Sequence, residues 1–356
     1  MDIGKAFNEV FGNEAITKAL ASTILIILLG YILRKRGVFG ENFAKVLTKV
    51  VLAVALPALA FTSFMTKMDP ESLKQSLSVL VWGILIYVVF IFATKPLYLR
   101  YKGDKKEVLE VLTQFSSTTF FGIPIVAAIY GAKGALYASI FNIGYRIFLY
   151  SYAYIRMTGK KMTRDNLKEM FLNPIVIATF LGLFLWLIQN NVPQVSAMIP
   201  DATGKAVSTN VAFYRIDATA PWLFGMLTYL KDLASPLAWL AIGSTLGGVS
   251  FAKAASDKTS WYYSLNKVIL IPIINIVGIM ILSYLGILSF DSVALATTVI
   301  MLATPAATVA VSYAIGLDRE ALLASNASLL STIVATALMP FWIIIVEVLG
   351  KMDIFN

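Results

Sequence analysis

The residues best able to do chemistry lie inside an apolar segment, Gln114-Phe115-Ser116-Ser117-Thr118-Thr119-Phe120-Phe121-Gly122-Ile123-Pro124. Proline removes a helix donor and clashes with the preceding turn. Gly122 accepts backbone geometry that other residues resist. The four consecutive hydroxyls can take up freed backbone groups or a ligand. In hydrocarbon, unwound backbone survives only inside protein or beside a water-filled cavity, so this stretch is expected to line one. A second stretch of the same kind is Thr297-Thr298 followed by Ala303-Thr304-Pro305-Ala306-Ala307-Thr308. Taken singly, each reads equally as a proline kink whose hydroxyls bond back to the helix. If both helices break near the midplane and cross, four helix ends meet, and the amide-bearing ends attract anions.

Neither stretch holds an ionisable residue in its middle. A cation site would normally want a buried Asp or Glu. The ligand expected is therefore neutral or anionic, held by backbone amides, hydroxyls and the amides of Asn142 and Asn326. Arg146 is the most embedded charge. It reads either as a countercharge to a substrate carboxylate or as a side chain that snorkels or meets a helix C-terminus. Asp232, beside Lys231, reads either as a proton carrier or as half of an interfacial ion pair.

These residues need long apolar elements to position them. Of 356 residues, 58% are hydrophobic and 14% charged, and mean hydropathy is +0.79. Soluble domains are about half apolar and a quarter charged, which excludes a soluble enzyme, a disordered chain and a nucleic-acid-binding domain. A span needs about 20 mostly apolar residues. Ten are expected, with cores at 15–33, 46–65, 77–99, 108–130, 134–155, 173–189, 222–248, 265–285, 292–315 and 320–349. The fold class expected is an all-α membrane protein. No cleavable leader is read at the start of the chain.

Loop charge sets orientation. Of the 29 Lys and Arg residues, nineteen follow odd-numbered spans, nine lie on the other side, and Arg146 sits within span 5. The richer side is expected to be cytoplasmic, with both termini outside. Residues 190–221 are polar, carry Pro193, Pro200 and Pro221, and read as an external loop. That loop is either surface decoration or a lid.

The halves echo each other. Pro57 and Pro236 are 179 residues apart, Pro124 and Pro305 are 181, and Ala135-Leu136-Tyr137-Ala138-Ser139 precedes Ala321-Leu322-Leu323-Ala324-Ser325 by 186. With five spans in each half, the second copy must insert upside down, a common plan of secondary transporters. Residues 1–172 and 173–356 are the two expected repeats, the second carrying the 190–221 insertion. Pro236 with Gly243 to Gly248, and Pro57 with Thr62-Ser63, read as helices thinned for close packing. Trp82, Trp186, Trp239, Trp261 and Trp342 read as lipid contacts or belts. The chain has no Cys and no His, and no phosphate-binding loop. Disulfides, imidazole or thiolate metal sites, a Ser/His/Asp set and ATP drive within the chain are thereby excluded.

Several stretches together resemble the auxin efflux carrier family of secondary transporters, a PIN-like family. They are the Pro57 stretch, Phe121-Gly122-Ile123-Pro124 with Ile129-Tyr130-Gly131, and Asn173-Pro174. Also matching are Pro236 with Gly243, Pro305-Ala306 with Tyr313 to Asp318, and Leu329-Leu330-Ser331-Thr332 before Pro340. The likeness spans nearly the whole chain except 190–221. It implies ten spans in two inverted five-helix repeats with spans 4 and 9 crossed, an architecture similar to bile-acid/sodium symporters. It also implies spans 1, 2, 6 and 7 as scaffold, often a dimer surface, and substrates that carry carboxylates. The plant pattern has Asn seven residues before the span 4 proline, where this chain has Ser117, which puts auxin itself in doubt.

The site expected comprises Ser117, Thr118, Thr119, Gly122, Pro124, Asn142, Arg146, Thr304, Pro305, Ala306, Thr308 and Asn326, with Asp232 as the coupling candidate and no metal. The function expected is a carrier, not an enzyme, for a small organic anion in the plasma membrane. Lipid and a homodimer mate are its other partners, with no cofactor or nucleic acid. The alternatives are a sodium- or proton-coupled symporter and a non-transporting sensor of the same fold.

Overall fold

The computed structural model describes residues 14–159, 164, 168, 171–200, 206–248 and 255–355. Lys5, Lys160, Lys161, Lys205 and Lys253, counted above as loop charges, lie outside them.

The chain is mostly helical. Its elements are α1 (Glu14–Lys35), α2 (Phe43–Ser63), α3 (Pro70–Ala93), α4 (Gly103–Gln114), α5 (118–130) and α6 (132–158). After α7 (Pro174–Ile188) come β1 (Gln194–Pro200), β2 (Ala206–Ala212), α8 (Ile216–Thr219), α9 (Pro221–Asp232) and α10 (Ala234–Gly248). The last are α11 (Lys258–Tyr284), α12 (Ser292–Leu302), α13 (Thr308–Gly316) and α14 (Ala321–Leu349). Among the described residues, six helical stretches are long and apolar enough to cross a membrane: α2, α3 with its extension to Tyr98, Thr118–Thr158, α7 with its extension to Asn191, α11 and α14. The Thr118–Thr158 stretch is 41 residues long. It turns back at Gly131, whose φ of 58° and ψ of −142° is a left-handed conformation that a Cβ would oppose.

The all-α expectation needs one amendment. Residues 190–221 contain an antiparallel hairpin, with Gln194 opposite Ala212 and Pro200 opposite Ala206, and Phe213 N–H donates to Pro193. Val195, Ala197 and Ile199 on one strand and Val207, Thr209 and Val211 on the other recur with period two, which suits the pairing and which a reading by turn residues overlooks.

Two packing groups are evident. In one, α1 packs on α10, and α2 on α7 and α9. In the other, α3 and α12 pack on α6, and α14 on α11, α12 and α13. The α1–α10 seam is built on glycine: a Cβ at Gly243 would lie 2.0 Å from the Ile27 carbonyl oxygen, so these backbones approach as only small residues allow.

Several expectations are overturned here. Trp82, Trp186, Trp239 and Trp342 are buried; only Trp261 of that set faces outward. Two of the buried indoles serve the core. Trp342 Nε1 donates to the Val268 carbonyl, and Trp82 Nε1 donates to Asn275 Oδ1 at 2.7 Å. Asn275 passes this on to Thr298 Oγ1 at 3.2 Å, tying α3 to α11 and α12. Trp82→Phe strands a buried amide oxygen, at an expected cost of about 1–3 kcal/mol, measurable as a lowered unfolding temperature in detergent. Lys267, counted as a loop charge, is wholly buried within α11.

Candidate functional site

Both proline-bearing stretches are interrupted, and the interruptions touch. α4 ends at Gln114, and Phe115 is extended at φ −105°, ψ 113°. α12 ends at Leu302, and α13 begins at Thr308. Between them Ser116 pairs antiparallel with Ala306. Ser117 N–H donates to the Pro305 carbonyl at 2.8 Å, and Ala307 N–H donates to that of Phe115 at 2.9 Å. Two gaps in two helices therefore satisfy each other's backbone, as low-polarity surroundings demand. The break falls at the hydroxyl run, seven residues before Pro124, not at the proline. Pro124 continues the helix behind a π-helical turn at Thr118–Gly122. That wider turn accommodates a residue without an N–H.

The hydroxyls divide into two sets. Ser116 Oγ donates to the Leu302 carbonyl at 3.0 Å and Thr304 Oγ1 to that of Met301 at 2.8 Å, closing the C-terminal end of α12. Ser117, Thr119 and Thr308 instead line a cavity of about 200 Å³. Its wall includes Phe120 and Val309, the α6 residues Tyr145, Arg146 and Tyr150, and Asn173 at the start of α7. The first turns of α5 and α13 both face it. The N–H groups of Thr119, Phe120, Thr308 and Val309 precede any in-helix acceptor, and the described residues give them no backbone partner. Two amide ends and one guanidinium thus converge on one space, a geometry suited to an anion.

Arg146 is 7% exposed and forms no ion pair among the described residues. Asn142, one turn earlier, is buried and donates to Thr119 Oγ1 at 3.2 Å, fixing that hydroxyl at the rim. π-helical turns at Val51–Ala55 and Leu149–Ala153 carry the lining residues Leu52, Leu149 and Tyr150. Such turns mark functional positions in helices more often than elsewhere.

Ser117, Thr119, Arg146 and Thr308 are thus brought together, with Asn142 behind them. Pro305 and Ala306 support them through backbone bonds. Thr118 is buried beside the break without lining the cavity. Gly122 lies against Met301, where a Cβ would sit 3.1 Å from its Cα. Pro124 accepts from Ser235 Oγ at 2.9 Å. Asn326 is half-buried on α14, away from the cavity lining. Asp232 lines a different cavity, of about 610 Å³, with Lys18, Thr62, Ser63, Lys231 and Ser235. Along α2, α5 and α6 the two cavities occupy opposite ends, and both lie where the two packing groups meet. Sequence reading passed over Thr48, Tyr145, Tyr150, Asn173 and Ser312. Of these, Asn173 carried a signal, as an Asn before a proline that opens a helix; its Oδ1 accepts from Ile175 N–H at 2.9 Å.

Two broken helices paired beside a cavity, in a bundle of apolar helices, follow a plan used by secondary transporters. A profile of the family described as "Membrane transport protein" matches residues 15–169. The chain is similar to an uncharacterized transporter of Methanothermobacter thermautotrophicus, with 26% identity over 337 residues, covering 92% of this chain and 98% of the relative. It is also 26% identical over 171 residues to the uncharacterized transporter MJ1031 of Methanocaldococcus jannaschii, covering 46% of this chain and 54% of that one. Against the uncharacterized transporter YfdV of Escherichia coli K12 the identity is 26% over 246 residues, 63% and 77% of the two chains. The profile match over the first part of the chain and the likeness to a transporter over most of its length support a membrane transporter similar to the auxin efflux carrier family.

Proposed function

We propose that this transporter is a secondary carrier of a small organic anion, a carboxylate, working by alternating access around the crossing of α4/α5 with α12/α13. The observation that carries the reading is the cavity where two free amide ends and the unpaired Arg146 meet. Ten spans in two inverted repeats account for the helix order: α1, α2, α3, α4/α5 and α6, then α7, α9/α10, α11, α12/α13 and α14.

A reciprocal pair of clamps supports the repeat independently of the proline matches. Lys133, in the first turn of α6, meets Asp291, the N-cap of α12, at 2.9 Å. Arg319, in the turn after α13, meets Asp104 in the first turn of α4 at 2.6 Å, and also Glu107. Lys133 and Arg319 are 186 residues apart, the same interval that separates Ala135 from Ala321. Each half grips the outer end of the other half's broken helix, so the crossing can travel as one body against α1, α2, α7, α9 and α10. A homodimer would be built on that stationary group. Opposed cavities at the boundary between the groups are what two-sided access requires. With the richer set of cationic loops on the cytoplasmic side of the plasma membrane, the Arg146 cavity would open toward the cytoplasm and both termini would lie outside. An inside-negative potential would then drive export, at about 2.3 kcal/mol per charge per 100 mV. No enzymatic step, cofactor or nucleic acid enters this reading. Asp232, in the opposite cavity, is the residue to test for proton coupling.

Arg319 also donates to the Arg156 and Met157 carbonyls at 2.8 and 2.7 Å. Arg319→Gln is expected to cost about 2 kcal/mol, read as a lower unfolding temperature. Its hydrogen bond to Asp104 lowers that carboxyl's pKa below 3.8 and raises that of Arg319. A depressed carboxyl stabilises above its unfolded pKa and loses that contribution as pH falls through the folded one. The difference between Arg319→Gln and wild type is therefore expected to shrink below pH 3.8. A gap that is constant with pH would remove the clamp's electrostatic part.

The function is tested in proteoliposomes, with carboxylates first ranked by thermal stabilisation of the purified protein. Potential-driven flux of a stabilising carboxylate without an ion gradient is the expected result. Strict dependence on sodium or pH would favour a symporter, and saturable binding without flux a sensor.

A further inference from the structure

Lys267 has no part in the site described so far. It lies in a π-helical turn of α11, Asn266–Leu270, and is 0% exposed. Its Nζ donates to the Thr113 carbonyl at 2.7 Å. Among the described residues it forms no ion pair. The three acids of the adjoining α4 are taken, Asp104 by Arg319, Glu107 by Arg156 and Arg319, and Glu110 by Arg156. Glu347, at the far end of α14, accepts from Tyr130. A buried ammonium without a carboxylate is costly and needs another negative partner.

The partner is the carbonyl end of α4. The last carbonyls of a helix carry roughly half a negative charge. Here they point into the crossing, where a free carbonyl end would attract a small cation. Tyr263 Oη donates to the Leu112 carbonyl at 3.2 Å, and Lys267 takes that of Thr113. Thr113 Oγ1 is hydrogen-bonded to Tyr98 Oη at 2.6 Å, so that turn is fixed from both sides. The matching end of α12 is closed differently, by the neutral hydroxyls of Ser116 and Thr304. The crossing therefore has one carbonyl end met by hydroxyls and one met by a lysine.

We propose that Lys267 is a tethered cation: a positioning residue whose ammonium occupies the carbonyl end of α4 in place of a diffusible ion and holds the crossing together. Emptying the position should create a demand for a small cation. The inference needs no assumption about the transported anion, and its readout uses none. Lys267→Ala, Lys267→Met and Lys267→Arg are purified in nanodiscs, and unfolding temperature is followed in ethylammonium chloride, with ethanol and choline chloride as controls. Lys267→Ala is expected to melt about 5 °C or more below wild type and to recover with ethylammonium in a saturable way, but not with ethanol or choline. Lys267→Met, which fills the space without charge, should stay low, Lys267→Arg should stay near wild type, and wild type should not respond. A Lys267→Met protein as stable as wild type overturns the proposal, because packing alone then suffices. So does a Lys267→Ala protein indifferent to ethylammonium. If Lys267→Ala cannot be purified without the amine but can with it, the proposal stands. If Lys267→Met folds where Lys267→Arg does not, it falls.

Discussion

Arg146→Gln is expected to weaken carboxylate binding by 100-fold or more, about 3 kcal/mol, while leaving the protein no less stable. The two halves of that expectation come from one fact. The guanidinium is nearly buried, faces the cavity beside Thr119 and Thr308, and has no acid partner among the described residues. An unpaired buried cation is a debit to folding, so its removal should raise the unfolding temperature of the empty protein or leave it unchanged. With a carboxylate present the sign reverses, because the ligand loses its only fixed full charge in that cavity. Equilibrium binding and thermal unfolding of the same preparation, with and without ligand, check both. A variant that melts lower without ligand would make Arg146 a structural residue.

Gly243→Leu is expected to be the most destabilising change outside the site. A Cβ alone would stand 2.0 Å from the Ile27 carbonyl oxygen and 2.9 Å from Tyr31 N. Both contacts are backbone, so no rotamer can relieve them. Gly30 faces the same seam, 2.5 Å from the Leu240 oxygen by the same measure. α1 and α10 would have to separate along their length. Overpacking commonly costs 1–3 kcal/mol, and a clash against two backbones should exceed about 3 kcal/mol. Loss of folded protein after detergent extraction is the expected readout. Gly225→Leu, where a Cβ meets nothing within 4 Å, is the control.

Much of this was legible in the residues. Of the ten expected spans, apolar run length announced the six that are long and apolar enough to cross among the described residues, because a bilayer sets that length. Proline and consecutive hydroxyls announced both interruptions, because a broken backbone in hydrocarbon needs polar company. The glycines of α10 were read as a thin helix, and they are where α1 approaches. Other features were not legible. The first break falls inside the stretch the hydroxyls mark, but its exact place was not legible, because a π-helical turn carries Pro124 forward and π turns leave no composition signal. Thr304 was grouped with Thr308 by type, yet one bonds back to Met301 and the other faces the cavity. Which way a hydroxyl turns depends on its place in the turn, not on its identity. Lys267 and the tryptophans were misjudged for a common reason: hydropathy says that a polar or amphipathic group is near the membrane, but not that a carbonyl from a distant helix awaits it.

The account rests on the crossing being a ligand site reached from one side. The chain contains no cysteine, so a single Thr308→Cys variant reports on that site without background. Its labelling by a membrane-impermeant thiol reagent in inside-out vesicles is the most direct test. The account predicts labelling from the cytoplasmic face, slowed in a saturable way by a carboxylate that stabilises the wild-type protein. Labelling that no carboxylate slows, or a cysteine unreactive from that face, would contradict it.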